Sequence, residues 1–342
     1  MSLERLNPGA PNPAAPNPAA PNTGGPTPAR LGLGMAAVAR PGYITLGREQ
    51  DLPVDRTVEA LRARTHQLLD TAYAQGVRYF DVARSYGRAE EFLASWLRGH
   101  PQAQDVVIGS KWGYTYTAGW RTDAEVHEVK DHSSATFDRQ LAETRALLGD
   151  RLDLYQIHSR TPDSPALTDP VLHQRLARLA GEGVTIGFSS SGPAQAAAIR
   201  AALAVTVDGV PLFRSVQATW NLLEPSSGPA LAEAHATGRT VIVKEGMANG
   251  RLADRNATGP DTAVLREVAA AAGAGCDAVA LAAAAAQPWA DVVLSGAADV
   301  QQLTSNLTAA ELRLDPRQRA RLGALAEPAE EYWRHRSRLP WS

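Results

Sequence analysis

A (β/α)8 TIM barrel is the fold class that this sequence predicts, on three observations. Short apolar, often β-branched runs recur eight times after residue 29, segments of helical period separate them, and no shift in composition divides the chain at its middle. Strands alternating with helices argue for parallel pairing through right-handed crossovers. Eight such units in about 310 residues match the size of one closed barrel.

The runs, in order, are "RLGLGM" (30–35), "RYFDV" (78–82), "DVVIGS" (105–110), "LDLYQIH" (152–158), "VTIGFS" (184–189), "SVQATW" (215–220), "TVIVKE" (240–245) and "DVVLSG" (291–296). Between them, Leu61, Leu68 and Ala72 share one helical face, and Phe137, Leu141 and Leu148 share another that Gly149 stops. "LHQRLARLAGEG" and "PALAEAHATGR" each close on Gly, as helix C-termini often do. An open doubly wound sheet also permits this alternation. Against it, "LGLGMAAV" after the first strand lacks the third Gly of a dinucleotide fingerprint and opens no clear helix.

Residues 1–28, with repeated "AAPNP" and many Pro, Asn and Gly, read as a disordered tail outside the fold, leaving 29–342 as one barrel domain with a C-terminal extension. That tail has no basic stretch followed by an apolar core, so it is not a secretory signal. The longest apolar run, "AVALAAAAA" (278–286), is about half a membrane span and reads as a buried helix. A net charge of −2 with 20% charged residues argues against a nucleic-acid binder. Cys276 is the one cysteine, which excludes an intrachain disulfide and suits a cytoplasmic setting.

Catalytic groups in such a barrel sit at the C-terminal ends of the strands. The second strand ends in Asp81, with Tyr86 just beyond in "YFDVARSYG"; Lys111 follows the third in "GSKWG"; His158 ends the fourth in "DLYQIHSRTPD". Three consecutive strands thus bring an acid, a phenol, an ammonium and an imidazole to one face. With these residues the chain resembles the aldo-keto reductases and their Asp, Tyr, Lys, His tetrad. The resemblance extends through "EGVTIGFSS", "SVQATWNLLE" and "VVLSGAADVQQLTSNLTAA". It implies an NAD(P)H-dependent oxidoreductase that interconverts a small-molecule carbonyl and its alcohol. Reduction builds negative charge on oxygen, so a proton donor must stand within hydrogen-bond reach. The resemblance gives that role to Tyr86, with Lys111 lowering its pKa, Asp81 pairing with Lys111, and His158 orienting the carbonyl. The hydride comes from a nicotinamide.

For the cofactor, the resemblance points to Ser189, Ser190 and Gln217 at the carboxamide, although Ser190 stands where the family has Asn. Lys244 and Glu245 replace a Tyr-Ser pair at the end of the seventh strand, and Gly250 and Leu252 in "ANGRL" fit the pyrophosphate side. Ser295, Gly296, Gln302 and Asn306 fall in the last cofactor segment. No basic residue lies between Leu294 and Asn306 to meet a 2′-phosphate, so NADPH is the cofactor the family suggests and NADH the competing one.

Substrate contacts are expected from Trp112, Tyr114, Tyr116 and Trp120, with Trp220 after the sixth strand. A long insertion, "AAVARPGYITLGREQDLPVDR" (36–56), is expected at the bottom or rim of the barrel. The C-terminal "EPAEEYWRHRSRLPWS" either folds over the mouth or stays solvated. No metal, nucleic acid or membrane is expected, and the sequence leaves oligomeric state open. The alternative to an enzyme is a nucleotide-binding barrel acting as a regulatory or scaffolding subunit.

Overall fold

The computed structural model describes residues 30–342, so the expected tail lies outside the described residues. Eight parallel strands close into a barrel in sequence order. They are β1 (Leu31–Gly34), β2 (Tyr79–Asp81), β3 (Val107–Trp112), β4 (Leu154–Arg160), β5 (Thr185–Ser190), β6 (Ser215–Thr219), β7 (Thr240–Lys244) and β8 (Val292–Ser295). Closure comes from β1 on β8, with Leu31 opposite Val293 and Leu33 opposite Ser295. Each strand falls within two residues of its predicted run. The fold is the (β/α)8 barrel.

Both faces of a barrel strand are covered, which is why the runs are continuously apolar rather than alternating. Inside, Tyr79, Val107, Leu154, Ile242, Val292 and Leu294 fill the barrel. Gly32 makes room for them: a Cβ there would lie 2.9 Å from both Tyr79 Cδ1 and Leu294 Cδ2. Outside, helix Val58–Ala74 lays Leu61, Leu68, Leu69 and Ala72 against the strands. Thr57 caps it by accepting from the Ala60 amide, one of the four N–H groups a helix start leaves unpaired. Helix Ser134–Leu148 ends where predicted, at Gly149. The Ala-rich run becomes helix Cys276–Ala285, every residue buried except Asp277. No single helix among the described residues is long and apolar enough to cross a membrane.

The 36–56 insertion follows β1 and therefore lies at the C-terminal mouth, not the bottom. Arg48 organises it. Its guanidinium is fully buried and donates to the carbonyls of Ala37, Pro41 and Ser342. Five donors in a fixed fork let one Arg collect several carbonyls that have no helix or sheet partner. Burial, then neighbouring Arg40, lowers its pKa to about 9. Tyr43 and Ser342 exchange backbone hydrogen bonds at 3.1 and 3.2 Å. The C-terminal segment therefore lies over the mouth, the first of the two readings its sequence allowed.

The same insertion explains a glycine in the "RSYG" turn. Gly87 has φ +60, and a Cβ there would meet the Ala39 carbonyl oxygen and sit 2.7 Å from Arg40 Cβ. Gly87→Ala combines a left-handed backbone with backbone contact, so we expect it to cost about 1–3 kcal/mol of stability. Urea denaturation checks this; an unchanged midpoint would mean that the insertion moves freely away from Tyr86.

Candidate active site

The cleft opens at the mouth with a volume of about 400 Å³, and Asp81, Tyr86, His158, Gln217, Lys244 and Glu245 line it. Lys111 lies behind, fully buried. Its place inside β3, rather than just after it, accounts for this. Nζ of Lys111 donates to Asp81 Oδ1 and to the Val82 carbonyl, the latter at 3.1 Å. Asp81 Oδ2 accepts from Gln217 Nε2 at 2.8 Å and from the Tyr79 hydroxyl at 3.2 Å. A buried carboxylate is tolerable only when so surrounded.

Tyr86 meets this pair through its ring. Lys111 Nζ is 4.8 Å from the ring centroid, and the His158 imidazole stands edge-on at 5.4 Å. Burial, then the Asp81 carboxylate, pushes the Tyr86 phenol well above its ordinary pKa. Arg40 is a cation that opposes this. Tyr86 is therefore protonated at neutral pH. Burial, then Lys111, holds His158 well below its usual value, so the imidazole is neutral. His158 Nδ1 lies 3.3 Å from Ser85 Oγ, and the His158 carbonyl accepts from His132 Nε2 at 2.8 Å.

At the end of β7, Lys244 Nζ donates to Thr219 Oγ1 at 2.8 Å, and Thr219 Oγ1 donates to Glu245 Oε2 at 2.8 Å. Arg336, from the C-terminal helix Ala329–Arg336, donates from Nε to both Glu245 oxygens at 3.1 Å. Burial lowers the Lys244 amine to about 8. Burial would raise Glu245, yet Arg336 and Lys244 hold it at about 2, against 4.5 ordinarily. A depressed carboxylate stabilises the fold above 4.5, and that contribution disappears as pH falls toward 2. The stability difference between wild type and Arg336→Met should shrink over that window in acid urea titrations. A constant difference would mean that the Arg336 charge contributes nothing through Glu245.

The other sequence-predicted residues divide. Tyr114, Gly250, Ser295 and Gly296 line the cleft, and Tyr114 tilts against His158 at 5.1 Å. Ser189 and Ser190 do not line it. They are fully buried in β5, and Ser189 Oγ accepts from the Ser159 amide at 2.7 Å; Ser191 lines the cleft instead. Leu252 packs in a separate apolar cluster with Leu222 and Tyr332. Gln302 Oε1 accepts from the Ala298 amide and Asn306 bonds Ser295 Oγ, so both brace the turn after β8. Trp112 is buried against Phe137, Trp220 against Trp289, and Trp120 donates to the Arg56 carbonyl. None of these three faces the cleft.

Residues not foreseen complete the wall: Arg40 and Tyr43 from the insertion, Glu128 from the hairpin of Tyr114–Tyr116 and Glu128–Lys130, and Arg336 and Trp341 from the C-terminus. No spacing in the sequence signals them, since they arrive from three separate segments.

Gln217 fits a nicotinamide. Gln217 lines the cleft, its Oε1 is buried with no hydrogen-bond partner, and its Nε2 is held by Asp81. A carboxamide N–H is the matching donor. Gly246, Gly250 and Gly296 also line the cleft, and a Cβ on Gly296 would meet nothing within 4 Å.

Residues 42–327 match the family described as the aldo/keto reductase family. An aldo-keto reductase from Strobilurus tenacellus is 31% identical over 100 residues, covering 29% of this chain and 26% of that protein. The chain thus matches about a quarter of that relative's length. The structure of an aldo-keto reductase from Bacillus halodurans, in its holo form, aligns with a TM-score of 0.66 at 23% identity, covering 88% of this chain and 93% of that one. A second structure, from Pseudomonas aeruginosa, aligns at 0.59 and 23%, covering 82% and 89%. At that identity the two structures speak for the fold. With the family match spanning most of its length, the chain belongs to the aldo/keto reductase family, whose members are NAD(P)H-dependent oxidoreductases.

Proposed function

We propose that this protein reduces a small-molecule aldehyde or ketone to an alcohol, or catalyses the reverse, with Tyr86 as general acid. The observation that carries the reading is a buried phenol lining the cleft, with an imidazole edge-on and a buried Lys–Asp pair behind its ring. When bound, a nicotinamide supplies the hydride. Gln217 and Ser191 would hold its carboxamide. The reading requires the tautomer in which Ser85 Oγ donates to His158 Nδ1, so that Nε2 carries the proton, donates to the substrate oxygen and polarises the carbonyl. Tyr86 gives that oxygen its proton as negative charge develops there. Asp81 keeps Lys111 charged beside the ring.

Tyr114 and Trp341 supply apolar walls for the carbonyl compound. NADPH is the cofactor the family suggests, and the 294–306 segment, with Asp299 and no basic residue, favours NADH. Titration of each by intrinsic Trp fluorescence decides between them. Loss of nicotinamide absorbance with a panel of aryl aldehydes and sugars tests the reaction. A barrel that binds nucleotide without turnover would show the fluorescence change and no absorbance loss with any substrate, which would sink the enzymatic reading.

A further inference from the structure

We infer that Arg40, clamped by Glu128, is a positioning residue that holds the Tyr86 turn and tunes the release of its proton. The inference rests on Tyr86 being the acid proposed above. Arg40 is 1% exposed, although no barrel strand or helix supplies it. Its Nη1 donates to the Ser85 carbonyl at 2.9 Å, one residue before Tyr86, and to Glu128 Oε2 at 3.0 Å. Its Cζ stands 5.3 Å from the Tyr86 ring centroid, 4.9 Å from that of Tyr43 and 5.0 Å from that of Trp341. A guanidinium is weakly hydrated and stacks on aromatic faces, so a site lined by three rings accepts it. The Arg88 amide donates to the Ala39 carbonyl at 2.9 Å, so both sides of the Tyr86 turn are tied to this segment.

The charges facing Tyr86 come from every element around it. Asp81 and Lys111 face it from the barrel floor, already joined to one another. His158 on β4 is neutral. Lys244 and Glu245 at the end of β7 are balanced by each other and by Arg336. Tyr43 beside Arg40 stays protonated, since burial and Glu245 raise its pKa. Asp81 and Glu245 nonetheless oppose the phenolate, and outside the barrel strands Arg40 favours it while Glu128, 24% exposed, opposes it. Arg40 and Glu128 therefore have opposite effects on one group.

Opposite effects give a test that mere packing cannot mimic. In Arg40→Met the pH limb on which reduction falls as Tyr86 deprotonates should move up by about one unit, and in Glu128→Gln it should move down. Arg40→Lys keeps the charge and should return the limb most of the way to wild type. The same shifts should appear in the 19F NMR titration of 3-fluorotyrosine-labelled protein, the Tyr86 signal being assigned by its loss in Tyr86→Phe. That titration needs no turnover, so absence of reductase activity would overturn the proposed function while leaving this inference to be judged on the NMR alone. Limbs or signals that stay put, or that move the same way in Arg40→Met and Glu128→Gln, would overturn it. Should Arg40→Met not fold, Arg40→Lys and Glu128→Gln still decide: the inference then requires a downward shift in Glu128→Gln with little change in Arg40→Lys.

Discussion

Tyr86→Phe is expected to lower the rate of carbonyl reduction by about 10²–10⁴-fold, the usual range for loss of a general acid. In free energy this is about 3–5 kcal/mol of transition-state stabilisation. The substitution removes one oxygen and keeps the ring, so the edge contact with His158 and the two cations beside the ring survive. Cofactor affinity and urea midpoint should therefore stay near wild type while single-turnover hydride transfer collapses. The split matters, because a general loss of folding would depress all three. A single-turnover rate equal to that of wild type would remove Tyr86 from the chemistry, whatever the fold resembles.

The barrel was legible because its signal is local. A strand covered on both faces must be apolar along its length, and the chain writes that eight times with helical period between. The grouping of Asp81, Tyr86, Lys111 and His158 was legible for a related reason: strand ends are fixed by the barrel, so the four could be placed together from the sequence. What the sequence hid depends on segments that no strand fixes. Trp112, Trp120 and Trp220 are large apolar residues beside the site, but packing in the wall, complete for Trp112 and partial for Trp120, satisfies them as well as a substrate would. Ser189 looked like a cofactor ligand and instead supports the Ser159 amide. Arg40 is separated from Ser85 by 45 residues and from Glu128 by 88, a convergence that no periodicity encodes. The one clue was the insertion itself, a stretch with no place in the repeating unit that nonetheless carries Arg40, Tyr43 and Arg48.

Lys111→Met is expected to cost about 3–5 kcal/mol of stability, the penalty for stranding one partner of a buried ion pair. Lys111 and Asp81 side chains are 0% and 2% exposed, so water cannot take the place of the lost ammonium. Gln217 and Tyr79 would still donate to Asp81 Oδ2, but neutral donors do not cancel a charge in a low-dielectric interior. Desolvation dominates here. Burial lowers the Lys111 pKa although Asp81 beside it acts the other way. It follows that removing both charges should cost far less than removing one. Asp81→Asn combined with Lys111→Met should recover most of the loss in urea denaturation while leaving hydride transfer impaired, because the ammonium beside Tyr86 is still gone. If the double variant were instead as unstable as the single one, the damage would lie in packing around the substituted side chain rather than in an unpaired carboxylate, and the pair would owe its place in the barrel to shape.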